Sequence, residues 1–473
     1  MRRLIPTAVA LLLAGTALAS DRPDPSELLP GGAATVRNTG DARAFSQGSG
    51  NLPYERLFTF RIGDGVFRKL WVSSPSSTTS SDGLGPLYNS RGCQSCHLRD
   101  GRGRPPEAGE AASSLLMRLS VPPTAPRPTE PTASTLPATP DPTYGLQLQT
   151  FGIQGHAAEG HVAVNWTEEA VPLAGGEVAH LRRPAWRIEN WGYGPPGPGL
   201  MTSPRVAPPM IGLGLLELVP EADILAGADP DDRNHDGVSG RAARVWSGAL
   251  GHAALGRFGW KALAPTLADQ SADAFMADMG LSTPIHVAQG YGECTPAQTL
   301  CRAAPDGSPG PGKPEVEPRL FDLVVFYARN LGVPARAEPT PEVLRGRAIF
   351  RDIGCSACHR PSFTTGHADD RPELSGQRIW PYTDMLLHDM GESLADNRPE
   401  GAADGHEWRT APLWGLGHTQ AVSGHTELLH DGRARNALEA ILWHGGEAQA
   451  ARDRVVGLPP ADRAALLAFL GSL

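Results

Sequence analysis

The chain has 473 residues, with 51 acidic side chains against 42 Lys and Arg, for a net charge of −9. That balance excludes nucleic acid and an anionic membrane surface as partners, since both ask for clustered positive charge. Only 20% of the residues are charged, and 55 Gly with 45 Pro predict long irregular connections over a helical scaffold, with length enough for two or three domains.

At the N-terminus, Arg2 and Arg3 precede an apolar stretch from Ala8 to Leu18, and Ala17-Leu18-Ala19 is a small-x-small cleavage signal before Ser20. Residues 1–19 read as a secretory signal peptide, too short for a permanent span, so the mature protein is expected in the periplasm. No later stretch is long and apolar enough to cross a bilayer, so no membrane span is expected in the mature chain.

Cys93-Gln94-Ser95-Cys96-His97 is the first of two Cys-x-x-Cys-His motifs, and Cys355-Ser356-Ala357-Cys358-His359 is the second. In this spacing two thiols add to the vinyl groups of one haem, and the adjacent histidine turns its imidazole onto the iron. The expected cofactors are therefore two covalently bound haem c groups, with His97 and His359 as iron ligands. A zinc site is the alternative, but it asks two Cys pairs to converge on one metal, and here each pair carries its own His.

Beyond the first motif, strand-like segments run at 115–121, 146–153, 161–166 and 177–181, and predict a small sheet appended to the first haem domain. Eight prolines between Pro122 and Pro142 predict an exposed polyproline-like excursion. Asp232, Asn234 and Asp236, followed by Gly237, have the spacing of the first half of a calcium loop. Ala243 stands where an EF-hand places its bidentate Glu, which excludes a full EF-hand; the alternative to Ca2+ is an Asx-rich solvated turn. Cys294 and Cys301, left over from haem attachment, are expected to form a local disulfide in an oxidising compartment, with a dithiol switch as the alternative.

Leu320, Leu323, Val324, Tyr327 and Leu331 follow helical spacing until Gly332 and Pro334 stop the helix. After a linker at 332–339, Thr340 caps a helix with Pro341 at its first position, running to Gly354 at the second motif. Asn436-x-x-Glu439 opens a helix through His444, and 461–473 is an apolar-faced terminal helix. The expected fold is mainly α: two cytochrome c-like haem domains, at 20–335 and 336–473, the first carrying the proline-rich and β insertion and long irregular loops.

Several segments carry a resemblance. Gly346-Arg347-Ala348-Ile349-Phe350 before the second motif, Trp408-Arg409-Thr410-Ala411-Pro412-Leu413, and Leu429-His430-Asp431-Gly432-Arg433 are similar to the C-terminal domain of bacterial dihaem cytochrome c peroxidases. Most of 50–473 resembles more closely the dihaem oxidoreductase family often labelled "thiol oxidoreductase" or peroxidase. That match rests on Arg205-Val206-Ala207-Pro208-Pro209, Arg257-Phe258-Gly259-Trp260-Lys261-Ala262, the 382–391 segment and Leu442-Trp443-His444-Gly445-Gly446-Glu447-Ala448.

The resemblance implies a peroxidase-like oxidoreductase in which Trp260 bridges electrons between the haems, Gln270 orients the peroxide and Asp278 moves the proton. The first haem, on His97, would be the reactive one. The interval from Gln270 to Asp278 is shorter than in the peroxidases, and Asp replaces Glu. For the sixth ligand of the second haem the peroxidase pattern points to position 429. That residue is Leu here, so Met390 is the first choice in its place, with His388, His430 and His444 as others. A small donor protein, a cytochrome or cupredoxin, is the implied partner. The readings from other classes are a non-catalytic dihaem electron-transfer cytochrome and an accessory protein of periplasmic iron uptake with an iron-uptake partner.

Overall fold

The computed structural model describes residues 24–37, 41–124, 126, 128–287, 292 and 294–473; the expected signal peptide lies outside them. The helices that matter for the site are α1 (Tyr54–Phe67), α2 (Leu267–Met279), α3 (Pro318–Asn330), α4 (Pro341–Asp352), α5 (Ala437–Trp443) and α6 (Pro460–Leu470). None is long and apolar enough to cross a membrane.

The same construction occurs twice. α1 packs on α3 around the first motif, and α4 packs on α6 around the second. Each crossing has a glycine at the point of contact: a Cβ on Gly63 would collide with the Leu323 carbonyl, and one on Gly346 with the Ala465 carbonyl. Four residues after each glycine, one turn along the same face, comes a phenylalanine. Phe67 lies 6.4 Å from the ring of His97 and 5.1 Å from Tyr327. Phe350 lies 6.4 Å from His359 and 5.3 Å from Phe469. Burying each such ring stabilises its unit by about 1.5–3 kcal/mol.

Local signals set the helix starts as the sequence predicts. The Thr340 hydroxyl accepts from Val343 N at 3.3 Å, and Asn436 Oδ1 accepts from Glu439 N at 2.9 Å. α1 was not legible, because Tyr54 (83% exposed), Phe58 and Ile62 put apolar residues on its outer face and blur the helical period.

The expectation of a mainly α fold made of two cytochrome c-like domains is corrected. Helix makes up only 28% of the chain and strand 16%. The long connections between the members of each helix pair are filled by turns and six separate two-stranded antiparallel sheets among the described residues. The strands used below are β1 (Leu115–Ser120), β2 (His161–Pro172), β3 (Val178–Glu189), β4 (Met201–Val206), β5 (Leu387–Asp389) and β6 (Glu407–Arg409).

Nor do the four predicted strand segments form one sheet. β1 pairs with β4, whereas β2 and β3 form a ribbon of their own, from His161↔Glu189 to Pro172↔Val178. Segment 146–153 contributes only Phe151–Gly152, paired with Leu87–Tyr88, and a bridge from Gln147 to Arg118. Of the excursion expected to be exposed between Pro122 and Pro142, the described part of 122–136 is largely exposed, whereas 137–141 folds in, with Ala138 and Asp141 buried. Cys294 is disulfide-bonded to Cys301.

Candidate haem sites

Cys355, Cys358 and His359 open on a cavity of about 230 Å³ that reaches from the α4–α6 pair to Trp260. Both cysteines are free thiols. The His359 Nδ1–H donates to Tyr382 O at 3.0 Å, which fixes the ring and leaves Nε2 for a metal. Burial depresses its pKa to about 4, so the imidazole stays neutral, the form that binds iron.

His444, at the end of α5, lines the same cavity and is held in the same manner, with Nδ1 2.7 Å from Ala440 O. Burial also depresses its pKa, and its charge would lower that of His359, so the two rings are close. Met390 is on the wall, beside the cluster containing Trp408 and Trp443. His388 is committed elsewhere: Nε2 lies 2.8 Å from Asp384 and Nδ1 2.6 Å from Glu447. Burial lowers its pKa, but those bonds and one to Cys358 outweigh it and raise it to about 12, which makes it an imidazolium and not a metal ligand. Glu447 also accepts from Ser239 Oγ at 2.5 Å, tying the 232–240 loop to this wall.

At the first motif, His97 Nδ1 lies 2.9 Å from Pro208 O. Burial again holds the imidazole neutral, with a pKa of about 4. Asp278, near the end of α2, lies beside this motif. Burial pushes the Cys93 and Cys96 thiols up to about 12, and the Asp278 charge adds to both shifts. Burial also raises the Asp278 carboxyl above its ordinary value, partly offset by Arg118 and by a 2.8 Å hydrogen bond from Gln147 Nε2. Gln147 is fully buried and its Oε1 has no hydrogen-bond partner among the described residues. Gln270, by contrast, is eight residues back along α2, about 12 Å at helical rise. It approaches Gly259, next to Trp260. The structure therefore does not bring Gln270 and Asp278 to one point.

Between the two motifs, one short segment joins the parts. The Trp260 Nε1–H donates to Val206 O at 2.9 Å, Val206 N donates to His430 O at 2.8 Å, and Pro208 O accepts from His97. Trp260 stands edge-on to His430 at 6.5 Å, and His430 stacks on Trp408 at 3.7 Å. Behind Trp408 lies a buried charge cluster. Lys261, with Nζ 4.7 Å from that ring, donates to Asp396 at 2.7 Å, and Glu400 pairs with Arg205 and Arg398 at 2.5 and 2.8 Å.

The family model described as "Di-haem oxidoreductase, putative peroxidase" matches residues 27–195 and 199–473. The chain belongs to this di-haem oxidoreductase family. No curated protein matches the chain. A solved structure of hydrazine synthase from Kuenenia stuttgartiensis, pressurized with 20 bar xenon, is similar at 14% identity over 87% of this chain and 92% of that one. Its TM-score of 0.28 is too low for the likeness to bear on fold or function.

As a di-haem oxidoreductase the chain carries two haems, and its residues fit them. Each motif presents two free thiols and a neutral imidazole with its second nitrogen held, and the second opens on a walled cavity. The 232–240 loop does not offer a comparable donor set. Asp232, Asn234 and Asp236 accept from Gly237 N, Asp236 N and Val238 N at 3.2, 2.9 and 2.9 Å, the solvated-turn arrangement. No group of three or more His, Cys, Asp or Glu among the described residues could hold a metal ion. The sequence reading missed Gln147, Arg102 and the role of Val206–Pro208; the last was visible only as a shared motif, and the others had no local signal.

Proposed function

We propose that this di-haem oxidoreductase is a periplasmic c-type enzyme of peroxidase type, taking electrons from a small donor protein and delivering them to a reactive first haem. Haem bound through thioethers at Cys93, Cys96, Cys355 and Cys358 supplies the one-electron chemistry and a site for a peroxide oxygen. His97 and His359 would hold the irons, each ring fixed by a backbone carbonyl. In place of Met390, His444 would close the second site, because it lines the same cavity and its Nδ1–H is held by Ala440 O, which leaves Nε2 for the iron. A haem held by two protein ligands suits electron transfer, not peroxide binding.

At the first haem, Asp278 exchanges the proton. Burial keeps its carboxyl easier to protonate than an exposed one, the property a proton-exchanging acid needs near neutral pH. Gln147 holds that carboxyl in place. Trp260 stands between the sites, fixed by the segment that also holds His97. The observation carrying the reading is the pairing of one haem motif with a buried acid and the other with a second neutral histidine.

The test is haem content followed by steady-state assay. Two covalent haems per chain, and oxidation of a reduced small cytochrome that depends on hydrogen peroxide, are the expected results. Two haems indifferent to peroxide would leave a non-catalytic electron-transfer cytochrome.

A further inference from the structure

The second cavity has an unbalanced charge. Arg102 and Arg409 both line it, and among the described residues neither is in an ion pair with a carboxylate. Their hydrogen bonds go to neutral carbonyls: Arg102 Nη2 to Leu429 O at 2.6 Å, Arg409 Nε to Gly259 O at 2.8 Å, and Arg409 Nη1 to Thr410 O at 3.0 Å. Arg102 Nε is cut off from solvent with no hydrogen-bond partner among the described residues. Arg409 is only 9% exposed. Burial lowers both guanidinium pKa values to about 10, only partly offset by the charges of Glu427 and Asp431 near Arg102 and of Asp384 near Arg409, none of them in direct contact. A guanidinium shielded from water without a direct ion pair is costly, so buried Arg409 and the shielded Nε of half-buried Arg102 in one wall call for an anionic occupant.

Both arginines also bracket Trp260. The Arg102 guanidinium lies 5.6 Å over the indole, and Arg409 N donates to Trp260 O at 2.9 Å. Arg102 comes from the chain just past the first motif, five residues after His97. We propose that Arg102 and Arg409 form a carboxylate clamp for the two propionates of the second haem, turning its polar edge toward Trp260 and the first haem. The proposal rests on the dihaem reading. It assigns the clamp to positioning residues: a guanidinium fork matches a carboxylate, and two cations beside a haem favour its ferrous form. Arg452 on this cavity wall, whose Nε also has no hydrogen-bond partner among the described residues, is the competing anchor.

The crystal structure of the haem-loaded protein, with potentiometric titration of the Arg102→Gln, Arg102→Lys and Arg409→Gln holoproteins, tests this. The clamp predicts both propionates within hydrogen-bond distance of Arg102 and Arg409. It also predicts that Arg102→Gln lowers the potential of one haem, leaves the other in place and shifts the propionate bending mode in the resonance Raman spectrum, while Arg102→Lys recovers most of the potential. Propionates turned to Arg452 or to solvent would overturn it. So would an Arg102→Gln protein with two haems and neither potential moved, a result readable even where Arg409→Gln does not fold. Failure of the dihaem reading would look different, as fewer than two haems per wild-type chain.

Discussion

The two haem units share a frame and differ in what faces it. Gly63, Phe67 and His97 repeat as Gly346, Phe350 and His359, down to the 6.4 Å phenylalanine–histidine spacing and the Nδ1–carbonyl bond. Around that frame, one unit meets Asp278 and Gln147, the other a cavity lined by His444, Met390 and three arginines. Helix pairs hold; connections decide the chemistry. This is why irregular segments occupy so much of the chain: they carry the difference between the sites.

The strongest way to break the comparison is to remove one unit's attachment. Replacing Cys93 and Cys96 by Ser, or Cys355 and Cys358 by Ser, should each halve covalent haem content, as read by haem staining and mass spectrometry. Loss of all haem from either double variant would mean the units do not load independently. Next, Asp278→Asn should lower peroxide turnover roughly 10²–10⁴-fold, the usual contribution of a positioned acid or base. Its effect should be confined to the first unit, with the spectrum of the second haem unchanged.

The buried ion cluster behind Trp408 belongs to the second site. Burial pushes the Glu400 carboxyl up, but Arg205, Arg398 and Arg118 outweigh it and hold it well below the usual carboxylate range. Its contribution is therefore present above the ordinary carboxylate pKa and is lost as pH falls through its depressed folded value. Glu400→Gln should cost about 3–5 kcal/mol at neutral pH and flatten the acid limb of the stability curve, measured by denaturant unfolding between neutral and acid pH. Smaller still, Gly63→Ala and Gly346→Ala should each destabilise by about 1–3 kcal/mol, because the added methyl meets backbone that cannot move aside. Equal stability of either variant and wild type would show that the crossing is looser than the frame requires.

Legibility in the sequence follows the range of the interactions. The motifs at Cys93 and Cys355, the caps at Thr340 and Asn436 and the Cys294–Cys301 pair are local, and each could be read from a few residues. The mainly α expectation failed because the strand-like segments were read as one small appended sheet, whereas six separate pairs lie in the connections among the described residues; β1 finds its partner β4 across some eighty residues. In the site, Trp260 stands between the units, while Gln270 was placed by analogy and sits about two turns from Asp278. Gln147 and Arg102 gave no signal, since a lone Gln or Arg in a loop takes its meaning only from what folds against it.

The central claim is that the second haem is closed by His359 and His444 while the first stays open, and the EPR spectrum of the oxidised holoprotein tests it most directly. The account predicts one high-spin and one low-spin ferric signal, with the low-spin signal converted by His444→Gly and left alone by Met390→Leu. Two low-spin signals, or a low-spin signal that moves with Met390 and not with His444, would contradict it.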